Sequence, residues 1–258
     1  NDQQLVMICG ITALAIGAFS FLGNRVILRL VYGSVEADVM NFAVTYFFIT
    51  SLSFPFLGIY NACAALFRVM GNSNISMIAS LIMNVMNIIG NAVFVYVFDL
   101  GVAGVALSTL ISRFVSGAIL LALIHRPVYE VHCTRWLRVG WDPAILRKIF
   151  SIGVPQALEN GMVQIGKLLT QSMIAGFGTA SIAANACAMT VEQLAYMPGS
   201  AMGLAMTTVV GQCVGANAYP QARKYTKKLI LTAYVFLWIL NIVILFVAPL
   251  IAGYYNLS

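Results

Sequence analysis

Charge is what this sequence has least of. Asp, Glu, Lys and Arg make up 9% of the 258 residues, where a soluble domain carries about a quarter. So few charged side chains cannot cover a water-facing surface. The five cysteines (Cys9, Cys63, Cys133, Cys187 and Cys213) are scattered and odd in number, which excludes a disulfide framework. His125, His132 and Cys133 share one stretch, but no second cysteine stands at ligand spacing, so no metal site is expected. No nucleophile and base fall into a catalytic spacing either, and an enzyme is not expected. The chain opens Asn1-Asp2-Gln3-Gln4, without an initiator Met or the charge pattern of a signal peptide. It stops at Ser258, just after an apolar run, and both ends read as cuts.

What is present is apolar. Hydrophobic residues are 61% of the chain and its mean hydropathy is +0.92. A bilayer needs about 20 apolar residues per helix. Seven runs reach that length: 5–24, 39–67, 75–98, 101–124, 150–177, 180–210 and 229–252. They lack the ten-residue alternation of a membrane β-barrel, and backbone groups in lipid must be satisfied within a segment. The expectation is an all-α, polytopic membrane protein with seven spans.

The basic residues are distributed unevenly. With alternate loops assigned to opposite sides, one side holds Arg68, Arg126, Arg135, Arg138, Arg147, Lys148, Arg223, Lys224, Lys227 and Lys228. The other holds Arg25 and Arg29. This bias places loops 68–74, 125–149 and 211–228 in the cytoplasm, with the protein in the plasma (inner) membrane. These charges flank spans in short loops, so the lipid bilayer is the expected partner, and nucleic acid is not.

The polar stretch 125–148 divides the chain into 1–125, 126–148 and 149–258. Asp142-Pro143 reads as an N-cap with proline at the first helical position. Residues 144–150 are amphipathic and are expected to lie on the membrane surface before the fifth span begins. Pro55 and Pro198 fall inside the second and sixth spans and favour kinks. Gly101, Gly104, Gly211 and Gly215 suit close helix contacts.

Four charges fall within spans: Arg113, Glu159, Lys167 and Glu192. Each costs at least ~2.5–3.5 kcal/mol at the bilayer centre and invites a functional reading. In the fifth span Gln156, Asn160, Gln164, Lys167 and Gln171 share one helical face, bordered by Glu159. Interhelical hydrogen bonding accounts for the amides, but poorly for two added charges. The sixth span presents Asn185, Glu192, Tyr196 and Ser200. The short connection Gly176-Phe177-Gly178-Thr179 makes the two spans antiparallel, so Lys167 and Glu192 lie at similar depth and are expected to pair. Glu159 then lies about 12 Å nearer the cytoplasm at 1.5 Å per residue, with no evident partner. A carboxylate so placed favours its neutral form and suits proton exchange. In the first half, Asn61 and the set Asn84, Asn87 and Asn91 are candidates for lining a cavity, with packing the favoured role.

These residues resemble a known family. Arg68-Val69-Met70-Gly71-Asn72, Asn84-Val85-Met86-Asn87, Gly101-Val102-Ala103-Gly104-Val105-Ala106 and Ile111-Ser112-Arg113 are similar in order and spacing to segments of the MATE (multidrug and toxic compound extrusion) transporters. So are Gly153-Val154-Pro155, Gly211-Gln212-Cys213-Val214-Gly215-Ala216 and Ala222-Arg223-Lys224. The resemblance implies two six-helix lobes. Residues 1–125 would then be the last four helices of the first lobe, 126–148 the inter-lobe loop, and 149–258 the first three helices of the second. The remaining helices of the same protein would be partners. It also implies antiport without a cofactor: protons or sodium flow inward as amphipathic, often cationic small molecules leave. Several branches carry an acidic residue in the helix that holds Glu159. Here Glu159 lies about a turn closer to the proline than in the best-studied branch, and Val163 takes the deeper position. A lipid-linked saccharide flippase of the same superfamily is the alternative. Flippases tend to line their cavity with arginines and lysines, whereas amides, two glutamates and one lysine favour a cationic or neutral substrate. A retinal protein would need its lysine in the last helix, and Lys167 is in the fifth span.

Overall fold

The structure is a computed structural model that describes residues 2–32, 37–125 and 143–254. Arg126, His132, Cys133, Arg135, Arg138 and Asp142 lie outside the described residues. Every described element is helical: α1 (Asp2–Tyr32), α2 (Ala37–Ser51), α3 (Phe54–Val69), α4 (Ser73–Ala92), a π-helical turn (Val93–Val97), α5 (Gly101–Ile124), α6 (Pro143–Ala175), α7 (Thr179–Gly215) and α8 (Tyr219–Tyr254). Contacts divide the chain into two compact units, Asn1–Leu146 and Arg147–Ser258.

In the first unit, α3 packs on α1, α4 and α5, and α5 packs in turn on α2 and α4. Phe67, Cys63, Leu120, Ile124 and Val6 are buried at the centre of this core. The outward face carries large apolar side chains, among them Leu22 (84% exposed) and Tyr96 (86% exposed). A face this apolar belongs in lipid. Close approach depends on small residues. A Cβ on Gly58 would clash with Cβ of Ala13, and one on Gly90 would clash with Oγ of Ser108. Ser108, Ser112 and Ser116 recur at four-residue intervals on α5 and are all buried, a narrow polar seam that larger residues would hold open.

The turns explain two of the sequence motifs. After α3, Gly71 adopts φ +80°, its N–H donates to the carbonyl of Arg68, and Asn72 N–H donates to that of Phe67. This paired pattern closes a helix on a left-handed residue. Arg68 also donates from Nη1 to Oγ of Ser76 at 3.0 Å, tying α3 to α4. The same pattern ends α7, where Asn217 (φ +56°) and Ala218 donate to Val214 and Cys213.

The structure adds detail to several expectations. Among the described residues, four helices are long and apolar enough to cross a bilayer: Gln4–Arg29, Ser73–Val97, Gly101–Ile124 and Tyr219–Val247. The expected span 39–67 is a fifth, broken one, since α2 and α3 meet at 46°. Pro55, which follows the break, has no N–H to continue the ladder. The expected spans 150–177 and 180–210 correspond to α6 and α7, of 33 and 37 residues. Both are long enough to cross, but their polar stripes leave them short of the apolar composition. Residues 144–150 are continuous with the expected fifth span, since α6 runs unbroken from Pro143 through Pro155. Likewise α7 continues through Pro198. Among the described residues Gly211 and Gly215 make no close contact, since a Cβ on either would meet nothing within 4 Å.

Candidate functional site

In the second unit, α6 and α7 are joined by a three-residue turn. Gly178 adopts φ +97°, a conformation open to glycine, and its carbonyl accepts from Ile182 N–H to start α7. The chain therefore turns back, and Lys167 of α6 comes opposite Glu192 of α7. Lys167 Nζ lies 3.7 Å from Glu192 Oε1, with side chains 45% and 64% exposed within this chain. Gln171 (one turn beyond Lys167) and Asn185 (two turns before Glu192) line a cavity of about 160 Å³ with Ile174, Ile182, Ala186 and Met189. Asn185 Nδ2 donates weakly to Met189 Sδ at 3.6 Å. The cavity and the ion pair thus occupy neighbouring levels of the same helix pair.

Glu159 stands apart from this group. It is exposed within the unit, and among the described residues no cation pairs with it. It is not without a partner, however: Gln156 Nε2, one turn earlier, donates to Glu159 Oε2 at 3.4 Å. That spacing is the ordinary i, i+3 neighbour relation of a helix, which the stripe already contained. Gln156, Asn160 and Gln164 lie on the same exposed side of α6, and Tyr196 is 71% exposed on α7.

The first unit brings a different set together. Asn87 Nδ2 donates to Thr109 Oγ1 at 3.2 Å, Asn91 Nδ2 donates to Asn87 Oδ1 at 3.2 Å, and Ser108 Oγ donates to the Asn87 carbonyl at 2.8 Å. Asn87 therefore joins α4 to α5. The carbonyl oxygen Oδ1 of Asn91 is buried and has no hydrogen-bond partner. Leaving such an acceptor bare costs about 1–3 kcal/mol. It sits just before the π-helical turn Val93–Val97, where Phe98 N–H and Leu100 N–H reach back to the carbonyls of Val93 and Phe94. Such turns gather at functional sites. Asn84 and Asn61 do not join the cluster and are exposed on α4 and α3.

Thr109 and Ser108 are absent from the sequence-derived candidates. Each is a common residue in a transmembrane helix, and only the crossing of α4 and α5 selects them. Arg113 is singled out by the sequence as an in-span charge, but its partner is not. Its Nη1 donates to Ser53 Oγ at 2.7 Å, at the break between α2 and α3.

Comparison with known proteins places this geometry. The MatE family model matches residues 3–93 and 155–258. The chain is 26% identical over 200 residues to "Probable multidrug resistance protein NorM" of Thermotoga maritima, covering 73% of this chain and 41% of that protein. It is 24% identical over 214 residues to "Probable multidrug resistance protein YpnP" of Bacillus subtilis, covering 82% and 46%. To "Multidrug export protein MepA" of Staphylococcus saprophyticus it is 28% identical over 170 residues, covering 63% and 38%. The chain thus spans less than half the length of these relatives. Among solved structures, "Crystal structure of MATE in the bent conformation" aligns with TM-score 0.85 and 20% identity over 97% of this chain and 56% of that one. An "Outward-facing conformation of a multidrug resistance MATE family transporter of the MOP superfamily" aligns with TM-score 0.84 and 20% identity, covering 98% and 56%.

Proposed function

Because the chain belongs to the MatE family, we propose that it forms part of a secondary active antiporter that exports amphipathic, cationic small molecules in exchange for protons or sodium. Relatives named as multidrug resistance or export proteins support the transport half of this reading. The observation that carries the exchange half is the division of labour between two carboxylates. Glu192 has Lys167 at 3.7 Å. Among the described residues Glu159 has an amide at 3.4 Å and no cation, so its charge is free to be answered by a mobile cation.

A carboxylate without a fixed counter-charge inside a membrane binds whichever cation is offered: a proton, sodium, or a cationic drug. Occupancy by one excludes the others, and that competition at a shared site is the physical requirement of antiport. The amides along the stripe (Gln156, Asn160, Gln164) donate and accept hydrogen bonds without fixing a charge, which suits varied substrates. Lys167 as the one lysine among the stripe candidates is a poor match to the pyrophosphate of a lipid-linked saccharide. The test is Glu159→Gln in the whole protein, which keeps the shape and removes the charge. The variant should insert normally yet lose export of a cationic dye driven by an imposed ion gradient in vesicles. Wild-type export would remove Glu159 from the coupling step.

A further inference from the structure

Arg113 lies midway along α5 (Gly101–Ile124), a helix that qualifies as a span. Among the described residues no carboxylate pairs with it. A guanidinium has five N–H donors, and here Nη1 bonds Ser53 Oγ at 2.7 Å, with Tyr46 within electrostatic reach. What distinguishes that bond is its location. Ser53 is fully buried at the break between α2 and α3, and its hydroxyl also donates to the Thr50 carbonyl at 2.6 Å.

The neighbours of the break fit it closely. Pro55 has no N–H, which leaves the Ser51 carbonyl without its helical donor. Gly17 of α1 faces that carbonyl, where a Cβ would stand 3.0 Å from the oxygen. On the other side Gly117 of α5 faces the Phe56 carbonyl, also at 3.0 Å from a would-be Cβ. Phe48 of α2 stacks on Phe21 of α1 with centroids 4.3 Å apart, and Phe56 of α3 meets Phe114 of α5 edge to face at 4.9 Å. The two arms of the broken span are thus held by the same two neighbours. One helical turn before Ser53, Thr50 Oγ1 is buried and has no hydrogen-bond partner.

We propose that Arg113 is a positioning residue that latches the broken span α2–α3 in its bent form through Ser53, with the vacant hydroxyl of Thr50 as a second station one turn away. Between the stations the guanidinium would lose its bond inside the membrane. The elbow therefore has two positions rather than a continuum, as packed helices that shift by a turn generally do. Thr109, one turn before Arg113 on α5, bonds Asn87 of α4 at 3.2 Å. Movement of the elbow is in this way tied to the amide cluster. The link to turnover rests on the transport reading, but the latch itself does not.

The test uses spin labels at positions 39 and 72 of the whole protein in lipid nanodiscs, on either side of the break. Straightening the 46° bend would lengthen the separation by about 3 Å at 1.5 Å rise per residue. Arg113→Met and Ser53→Ala should each shift the mean toward that longer value, while Arg113→Lys, still a donor, should keep the bent distance. Thr50→Ala should keep the bent mean, narrow the distribution, and lower kcat for dye export with KM unchanged. If Arg113→Met does not insert, Ser53→Ala decides alone, since it removes a single oxygen. Wild-type distances in Ser53→Ala overturn the latch, and a wild-type width and kcat in Thr50→Ala overturn the second station. A wild-type protein that moves no dye would sink the transport reading and leave the distances to judge the latch.

Discussion

Lys167 and Glu192 are 25 positions apart in sequence and 3.7 Å apart in space, on antiparallel helices joined by a glycine turn. Within this chain both side chains are about half exposed or more. What the pair contributes depends on what covers that face in the membrane. An exposed pair contributes at most about 1 kcal/mol, whereas breaking a desolvated pair costs about 3–5 kcal/mol.

The expected outcome is the larger effect, since both residues lie on long membrane helices. Lys167→Met and Glu192→Gln should each lower the folded yield and thermal stability of the whole protein. The double variant should recover most of the loss, with a coupling energy above about 1 kcal/mol. Losses that simply add in the double variant would mean that the two charges do not interact.

The glycines divide into two groups that the sequence does not separate. A Cβ at Gly58 would clash with Cβ of Ala13 and lie 3.0 Å from the Cys9 carbonyl, while one at Gly211 would meet nothing within 4 Å among the described residues. Gly58→Ala should therefore destabilise by about 1–3 kcal/mol through overpacking. Gly211→Ala should be neutral, or stabilise by up to about 1 kcal/mol through helix propensity. Thermal unfolding in detergent distinguishes them, and equal effects at the two positions would contradict the packing described for α1 and α3.

Orientation is testable independently of any transport. In a cysteine-free background, a single cysteine at position 135 should resist an impermeant thiol reagent in intact cells, and one at position 99 should react. The opposite pattern would reverse the sidedness inferred from the basic residues.

The sequence was legible where the signal was local. Helical periodicity marked the stripe from Gln156 to Gln171, and the short Gly176–Gly178 connection made the Lys167–Glu192 pair a matter of counting residues from the turn. It was not legible where two distant segments had to be brought together. Nothing near Arg113 points to Ser53, 60 positions earlier. Pro55 announced a disturbance in its span, but a similar proline at 198 lies in an unbroken helix. The difference lies in surroundings: α1 and α5 press glycines against the break at Pro55. Gly211 and Gly215 misled for the converse reason, since their spacing is that of a helix contact and no neighbour fills it. The span count shows the same limit. Among the described residues five segments pass on length and composition, and α6 and α7 fall short because of polar faces that need protein or water against them.

The central claim is that one carboxylate, Glu159, serves both the coupling ion and a cationic substrate. Equilibrium binding of a cationic dye to the purified whole protein tests it without requiring turnover. Titration with acid or with sodium should weaken dye binding competitively in the wild type, through whichever ion drives exchange. In Glu159→Gln, dye affinity should fall and become insensitive to that ion, while thermal stability stays close to the wild type. Wild-type affinity with an unchanged competitive response in the glutamine variant would contradict the claim.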